Sequence, residues 1–486
     1  MTGEDNLVQI TLAHLPSNLA NSETKLEAPA GGTKIQVWTT SIKGTQVTLP
    51  ATWSPTSMPA ELYVEGYATS GAMRDVTLTL SYILNGTQVL ATDSVTATVV
   101  SIGLKSVAFS GDSRQSVRKD DNSGDYAPMW EDPWFPYPDY DGLGNTENPV
   151  CYVRNNKMQL TPTYEFAPAG VLGDSVVMGG VGPDGMNFPA IEVAVSAMQT
   201  SVWAVQECTV ALANQVAHYS RMAFDWLMTC ANPKIVIDPA ESDNEVFVTL
   251  NTPQCSPRFR TVLHLATKNG GTDADSCWAG TWQSFGTGSA PADVCAWDET
   301  AKNYTTRKLY YYLGDGYAPD PPGGGVDDTP KLLAYVDGQC TAWADMFVEC
   351  LKSNGITDYD IVELTPPTGN DHSGWFYVHE VTMDQNGPPE FSSPWLYAGN
   401  TVQGPGAAGQ NCPTPFTLYF EFHEIVRRTL SDDTEIYSDP SYGVSESGIR
   451  AYTQHTLGFW EGYFPNITPA HRYAKDYGVD FVVTKR

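Results

Sequence analysis

No run of about eighteen apolar residues occurs in this 486-residue sequence, which argues against a membrane-spanning helix. No two of its nine cysteines stand two to four residues apart, which argues against zinc-knuckle spacings. Their number is odd, so one thiol stays unpaired even if the other eight form disulfides. Positive charge is scarce: 27 Lys and Arg face 56 Asp and Glu, a formal net charge of −29. Such a surface repels phosphate, so nucleic acid is not an expected partner, and the charge serves solubility. The richest acidic stretch, from Asp120 to Asp125 and on to Asp139 and Asp141, lacks the complete ligand pattern of an EF-hand loop, and no metal ligands are expected. The opening Met1-Thr-Gly-Glu-Asp-Asn is polar and acidic, unlike a secretory signal. The acidity leans towards an extracellular or cell-surface setting. No internal repeat of fixed period is evident.

What is present points to β-structure. The 34 Pro and 42 Gly suit a turn-rich protein, and 41% apolar with 11% aromatic residues suits packed cores rather than long disorder. Residues 1–104 alternate apolar with polar in Leu7–Leu12, Thr33–Trp38, Glu61–Gly66, Asp75–Tyr82 and Ser94–Val100, and Asn85-Gly86 is a hairpin signal. That pattern predicts an antiparallel sandwich of immunoglobulin-like size. Residues 105–255 open with an irregular Pro/Asp/aromatic stretch (112–149). Met158–Tyr164, Ile191–Val195, Lys234–Ile237 and Glu245–Leu250 then predict a second β-rich domain. From 256 to 486 a mixed α+β domain is expected. A helix over Arg258–Lys268 ends at Asn269-Gly-Gly, and a Gly/Pro/Asp linker over Gly314–Thr329 leads to a second helix.

That second helix is the most informative segment. Asp337 reads as its N-cap and Asn354-Gly355 as its C-cap. Cys340, Trp343, Ala344, Phe347, Val348 and Leu351 share one stripe, with Asp345, Glu349 and Lys352 opposite. Cys340 therefore sits in the first turn, where free N–H groups and the helix dipole favour a thiolate and can donate to an oxyanion. Against this stands the commoner fate of a cysteine, inert packing, assigned here to Cys350.

A nucleophilic cysteine needs a base. His14, His218, His264, His455 and His471 have no evident link to Cys340, and His264 reads as a satisfied structural residue. His372, His379 and His423 remain. His423 lies in the alternating run Phe416–Val426, with the turn Leu430–Thr434 and the strand Glu435–Asp439 following. A hairpin centred on Ser431 sets His423 directly opposite Asp439. One centred on Asp432 makes them diagonal neighbours on one face, and one centred between Asp432 and Asp433 puts them on opposite faces. In the first two registers Asp439 can orient the imidazole. By itself Asp439 also reads as a turn residue before Pro440.

Gly338-Gln-Cys340-x-x-Trp343-Ala-x-Met-Phe347, closed by Gly355-Ile356, resembles the nucleophile helix of the transglutaminase-like superfamily. His423 followed by Tyr437-Ser-Asp439-Pro-Ser-Tyr-Gly443 resembles its His and Asp strands. The resemblance covers about 256–486 and implies a papain-like α+β domain behind two all-β sandwich domains. It implies Cys340 as nucleophile, His423 as base and Asp439 as orienter, with Trp282, Trp297 or Tyr335 as an aromatic at the oxyanion site. The separation of Cys340 from His423 exceeds the family's usual spacing, the excess falling in the Gly/Pro-rich Asn386–Pro415. His379, in Gly374–Thr382, stays the alternative base, and His372 reads as a loop residue. The implied chemistry is acyl transfer on a protein or peptide amide through a thioester, ending in cross-linking or hydrolysis, with no cofactor required. The alternative is a surface or particle-associated binding protein whose third domain is degenerate.

Overall fold

Alternation governs most of the chain, and strands in several sheets make up most of what the structure contains. The structure is a computed structural model. It describes residues 7–11, 21–28, 35–41, 44–54, 57–66, 75–98, 101–132, 146–231, 237, 239–286, 291–311, 326–366, 376–378, 393–397, 400–404, 409–412, 421–461, 470–473 and 481–486.

The N-terminal part holds two antiparallel four-stranded sheets. One runs Leu7–Thr11, Glu61–Gly66, Ile35–Trp38, Gln46–Val47, and the other Ala51–Trp53, Ser22–Glu27, Asp75–Leu84, Gln88–Thr98. Both feed one core, with Val37, Leu62 and Val64 from the first and Leu26, Val76 and Leu78 from the second. The Asn85-Gly86 hairpin forms with φ of 55° and 72°, the positive values that a type I′ turn demands.

The middle part holds two six-stranded sheets around a core that includes Phe109, Tyr164, Phe188, Phe224 and Trp226. The strand Ser101–Ser110 runs through the expected boundary at 104/105 and pairs with Gln159–Ala167. Thr163 pairs with Ser106 and Tyr164 with Leu104, so Lys105 bulges and the inward phase switches from Leu104 to Val107. The strand Ala217–Cys230 carries its own signal, Met222, Phe224, Trp226 and Met228 buried in strict alternation. The stretch 112–149 contains short strands at Arg114–Gln115, Met129–Glu131 and Thr146–Glu147. The expected strand Lys234–Ile237 falls almost wholly outside the described residues.

Beyond it, five helices are described: α1 (Arg260–Thr267), α2 (Ala274–Trp282), α3 (Thr329–Tyr335), α4 (Cys340–Ser353) and α5 (Ile449–Thr456). An antiparallel five-stranded sheet runs Val444–Ser447, Glu435–Asp439, His423–Thr429, Tyr359–Thr365, Val482–Lys485. One core joins α1 to α4 with this sheet and takes in Val216 and Leu250 from the middle part. α4 is thus the fourth helix. α2, with its Asp273/Ser276 capping box, and α3, capped by Asp328, precede it. The Gly314–Thr329 linker lies largely outside the described residues.

α4 departs from its expected form in two ways. Its N-cap is Gln339, because Asp337 is taken up in a short parallel pairing with Tyr310. It is also buried on most of its circumference, Ala342, Met346, Cys350 and Ser353 included. Only Thr341, Asp345, Glu349 and Lys352 keep partial exposure. Its C-terminus is anchored by Asn354, whose amide donates to the Ala266 carbonyl at 2.9 Å and accepts from the Leu250 N–H at 3.1 Å. Gly355 follows with φ +68°, and a Cβ there would lie 2.8 Å from both Asn251 Cβ and the Thr252 carbonyl. Gly355→Ala is expected to cost roughly 2 kcal/mol from the left-handed conformation and that crowding. A urea titration checks this, and an unchanged midpoint would refute it.

Candidate active site

Segments far apart in the chain build the site. The strand pairing of Tyr310–Tyr311 with Asp337–Gly338 brings the chain to the start of α4. Gly338 packs closely there, since a Cβ would lie 2.9 Å from Leu332 Cδ1 and 3.2 Å from Ala342 Cβ. Gln339 is extended, and Cys340 is then the first helical residue, 6% exposed. The first N–H groups of a helix have no acceptor within it, so the sulfur stands at a cluster of backbone donors. Trp343 pins this turn by donating from Nε1 to the Tyr310 carbonyl at 3.4 Å.

His423 opens its strand opposite Leu364, in the sheet that α4 covers. Arg427 pairs with Tyr437 and Arg428 with Ile436, which centres the hairpin on Asp432. His423 and Asp439 are therefore diagonal neighbours on one face. The turn closes at Leu430–Thr434, with Asp433 at φ 66°. His423 Nε2 lies 2.9 Å from Asp439 Oδ2, and both side chains are fully buried. Cys340 is among the neighbours that favour the charged form of the His423 ring. Because Asp439 engages Nε2, Nδ1 is the ring nitrogen presented to the sulfur. The geometry brings Cys340, His423 and Asp439 into one chain of contacts.

Asp439 is held from three further directions. Its Oδ2 accepts from the Tyr452 hydroxyl at 2.8 Å, its Oδ1 accepts from the Ser441 N–H at 3.0 Å, and its carbonyl accepts from the Gly443 N–H. It is thus an orienting carboxylate and a turn residue together. Burial and the Asp439 charge push the Tyr452 phenol well above its ordinary value, so it remains a donor. Burial pulls His423 down, but the charge and hydrogen bond of Asp439, joined by Cys340, override it and raise the ring to about 10. At neutral pH the ring is an imidazolium beside the sulfur.

The sequence gives no sign of a role for Tyr311, Tyr452 or Gln410, and Tyr442 stands in the Asp439 motif without one. Tyr311 and Tyr442 meet edge to face at 5.0 Å, and Tyr442 meets His423 at 5.9 Å. Both phenols are pushed well above their ordinary values, burial first, with Cys340 and Asp439 among the charges that act on them. Gln410, fully buried, accepts from the Tyr311 N–H and donates its own N–H to the Ser441 carbonyl, both at 2.9 Å, and ties the two sides together. Of the aromatics expected at the oxyanion site, Trp282 packs on Phe347 in mid-α4, Trp297 stacks on Arg260, and Tyr335 closes α3. His372 and His379 lie outside the described residues, as do His14 and the side chains of His455 and His471. His264 is not satisfied, because its buried Nδ1 has no hydrogen-bond partner. Cys151, Cys208, Cys255, Cys277, Cys295, Cys340 and Cys350 are thiols outside any disulfide.

No protein-family model and no curated protein matches the chain. Among solved structures it is similar to the crystal structure of chicken VE-cadherin EC1-2, at 11% identity over 50% of this chain and 92% of that one, with a TM-score of 0.16. A likeness at that score carries no argument about site or activity.

Proposed function

We propose that the chain is a cysteine-dependent acyltransferase or hydrolase of the transglutaminase-like kind, acting on an amide of a protein or peptide. Cys340 sulfur attacks the carbonyl carbon, a thioester C–S bond forms, and the C–N bond breaks. His423 delivers its proton to the departing amine. It then takes a proton from the second nucleophile, an amine for cross-linking or water for hydrolysis. The carrying observation is the contact chain from a helix-terminal sulfur through His423 to a buried, triply held Asp439. α4 packed on an antiparallel sheet supports a papain-like reading of this part. The paired sheets before it support two immunoglobulin-like sandwiches, with Ser101–Ser110 belonging to the second.

A second reading, a binding or structural protein with a degenerate site, is favoured by the low exposure of the sulfur and the complete burial of His423 and Asp439. Alkylation separates the two. Iodoacetamide at pH 7, followed by peptide mass spectrometry, is expected to modify Cys340 faster than free glutathione. In His423→Ala the rate is expected to fall by at least about tenfold. A wild-type rate no higher than glutathione's refutes the enzyme reading.

A further inference from the structure

We propose that His218, Glu245 and His264 form a binding site for a divalent transition-metal ion of the zinc type, joining the middle β-sheet to α1. The ligand atoms come from three elements: His218 from the strand Ala217–Cys230, Glu245 from Ala240–Thr249, and His264 from α1. His218 pairs with Phe247, so Glu245 is its diagonal neighbour on the same face, and α1 supplies His264 over that face. One ligand atom from each lies within 4.8 Å of the others. Two imidazole nitrogens and one carboxylate oxygen suit Zn²⁺ or Co²⁺ and leave a fourth position for water.

The rings are held in place before any ion arrives. His218 stacks on Phe247 at 5.1 Å and 14°, His264 stacks on Tyr304 at 3.7 Å and 8°, and the two imidazoles stand at 88° to each other, 4.7 Å apart. Glu245 is oriented likewise. Its Oε2 accepts from Arg260 Nε at 2.7 Å and its Oε1 from the Tyr304 hydroxyl at 2.8 Å. Metal-ligating carboxylates carry outer partners of this kind. Without an ion, Oε1 is shared with His218 Nε2 at 2.8 Å. An ion bound at Oε1 replaces that hydrogen bond with two coordinate bonds. The Arg260 charge opposes a cation, but it sits on the far carboxylate oxygen and lies over the Trp297 ring, 3.2 Å from its centroid.

A plain Arg–Glu–His–Tyr network accounts for every one of these groups except His264. Buried polar atoms are nearly always paired, and its Nδ1 is not.

The test uses the full chain stripped of metal by chelation. Co²⁺ is expected to bind with a visible d–d spectrum and without a thiolate charge-transfer band. Zn²⁺ is expected to displace it and to raise the melting temperature. In His264→Gln the affinity is expected to fall by about a hundredfold or more, with the metal-free circular dichroism spectrum unchanged. X-ray absorption on the zinc-loaded wild type needs no variant and is expected to give a nitrogen/oxygen shell with imidazole scattering. A sulfur shell, no bound Co²⁺, or unaltered binding in His264→Gln overturns the proposal.

Discussion

Asp439→Asn is expected to slow acylation at Cys340 by about three to four orders of magnitude while leaving the chain folded, the scale seen when a triad carboxylate becomes an amide. The substitution keeps shape and removes charge. Asn keeps one oxygen to accept from the Ser441 N–H and sets its NH2 where Oδ2 met His423 and the Tyr452 hydroxyl, and that hydroxyl can turn to accept. What it removes is the charge that holds the buried His423 ring near 10 against a burial effect in the other direction. With burial then dominant, the ring is neutral at pH 7 and the proton needed by the leaving amine is absent. The measurement is p-nitroaniline release from a peptide p-nitroanilide in single turnover, where the leaving amine needs that proton. A fall of less than about tenfold would remove Asp439 from the mechanism.

The same pair sets a pH signature. His423 holds its proton up to about 10 in the fold, against the ordinary 6.5 of an unfolded chain. A folded value above the unfolded one contributes stability in full below about 6.5 and loses it as pH rises through about 10. Wild-type melting temperature is therefore expected to decline across that window, and the decline is expected to shrink in Asp439→Asn.

How much of this was legible depends on whether the signal was local. The Cys340 turn could be read because helix caps and apolar spacing lie within one segment. His423 and Asp439 could be narrowed to three registers because the hairpin is short; only coordinates choose Asp432 as its centre. Tyr311 and Tyr452 carry no such mark, and Tyr442 is marked only as part of the Asp439 motif, not by any role. They come from three places in a chain with 25 tyrosines, and only the tertiary fold brings them to the triad. His218, Glu245 and His264 escape for the same reason, since nothing in their spacing resembles a ligand motif.

Errors within single elements have equally specific causes. The boundary placed at 104/105 falls inside the strand Ser101–Ser110, where Lys105 bulges and the inward phase changes. Asp337 looks like a cap by residue type, but the backbone pairing with Tyr310 claims it first. The polar stripe of α4 was read correctly in Asp345, Glu349 and Lys352. It is narrower than the apolar pattern implied because α1, α2, α3 and the sheet enclose the helix on several sides.

That enclosure leads to the largest stability effect expected for a core residue outside the triad. Phe347 is fully buried on α4 and meets three rings edge to face: Trp278 at 5.0 Å, Trp282 at 5.7 Å and Phe285 at 5.1 Å. Trp278 and Trp282 are one helical turn apart on α2, so Phe347 is the point where α2 grips α4. Phe347→Ala removes the ring and leaves a void whose walls cannot close easily, because Trp278 also carries the Arg428 guanidinium at 5.6 Å. A loss of about 4 kcal/mol is expected, in the upper part of the range for buried Phe-to-Ala changes. Phe347→Leu, which keeps most of the volume, is expected to lose less than half of that. Urea unfolding followed by tryptophan fluorescence reads this core directly, since Trp278, Trp282 and Trp343 all belong to it or pack against it. A loss under about 1 kcal/mol for Phe347→Ala would mean that α2 is held by other contacts. The support that the first helices give to the turn bearing Cys340 would then need a different explanation.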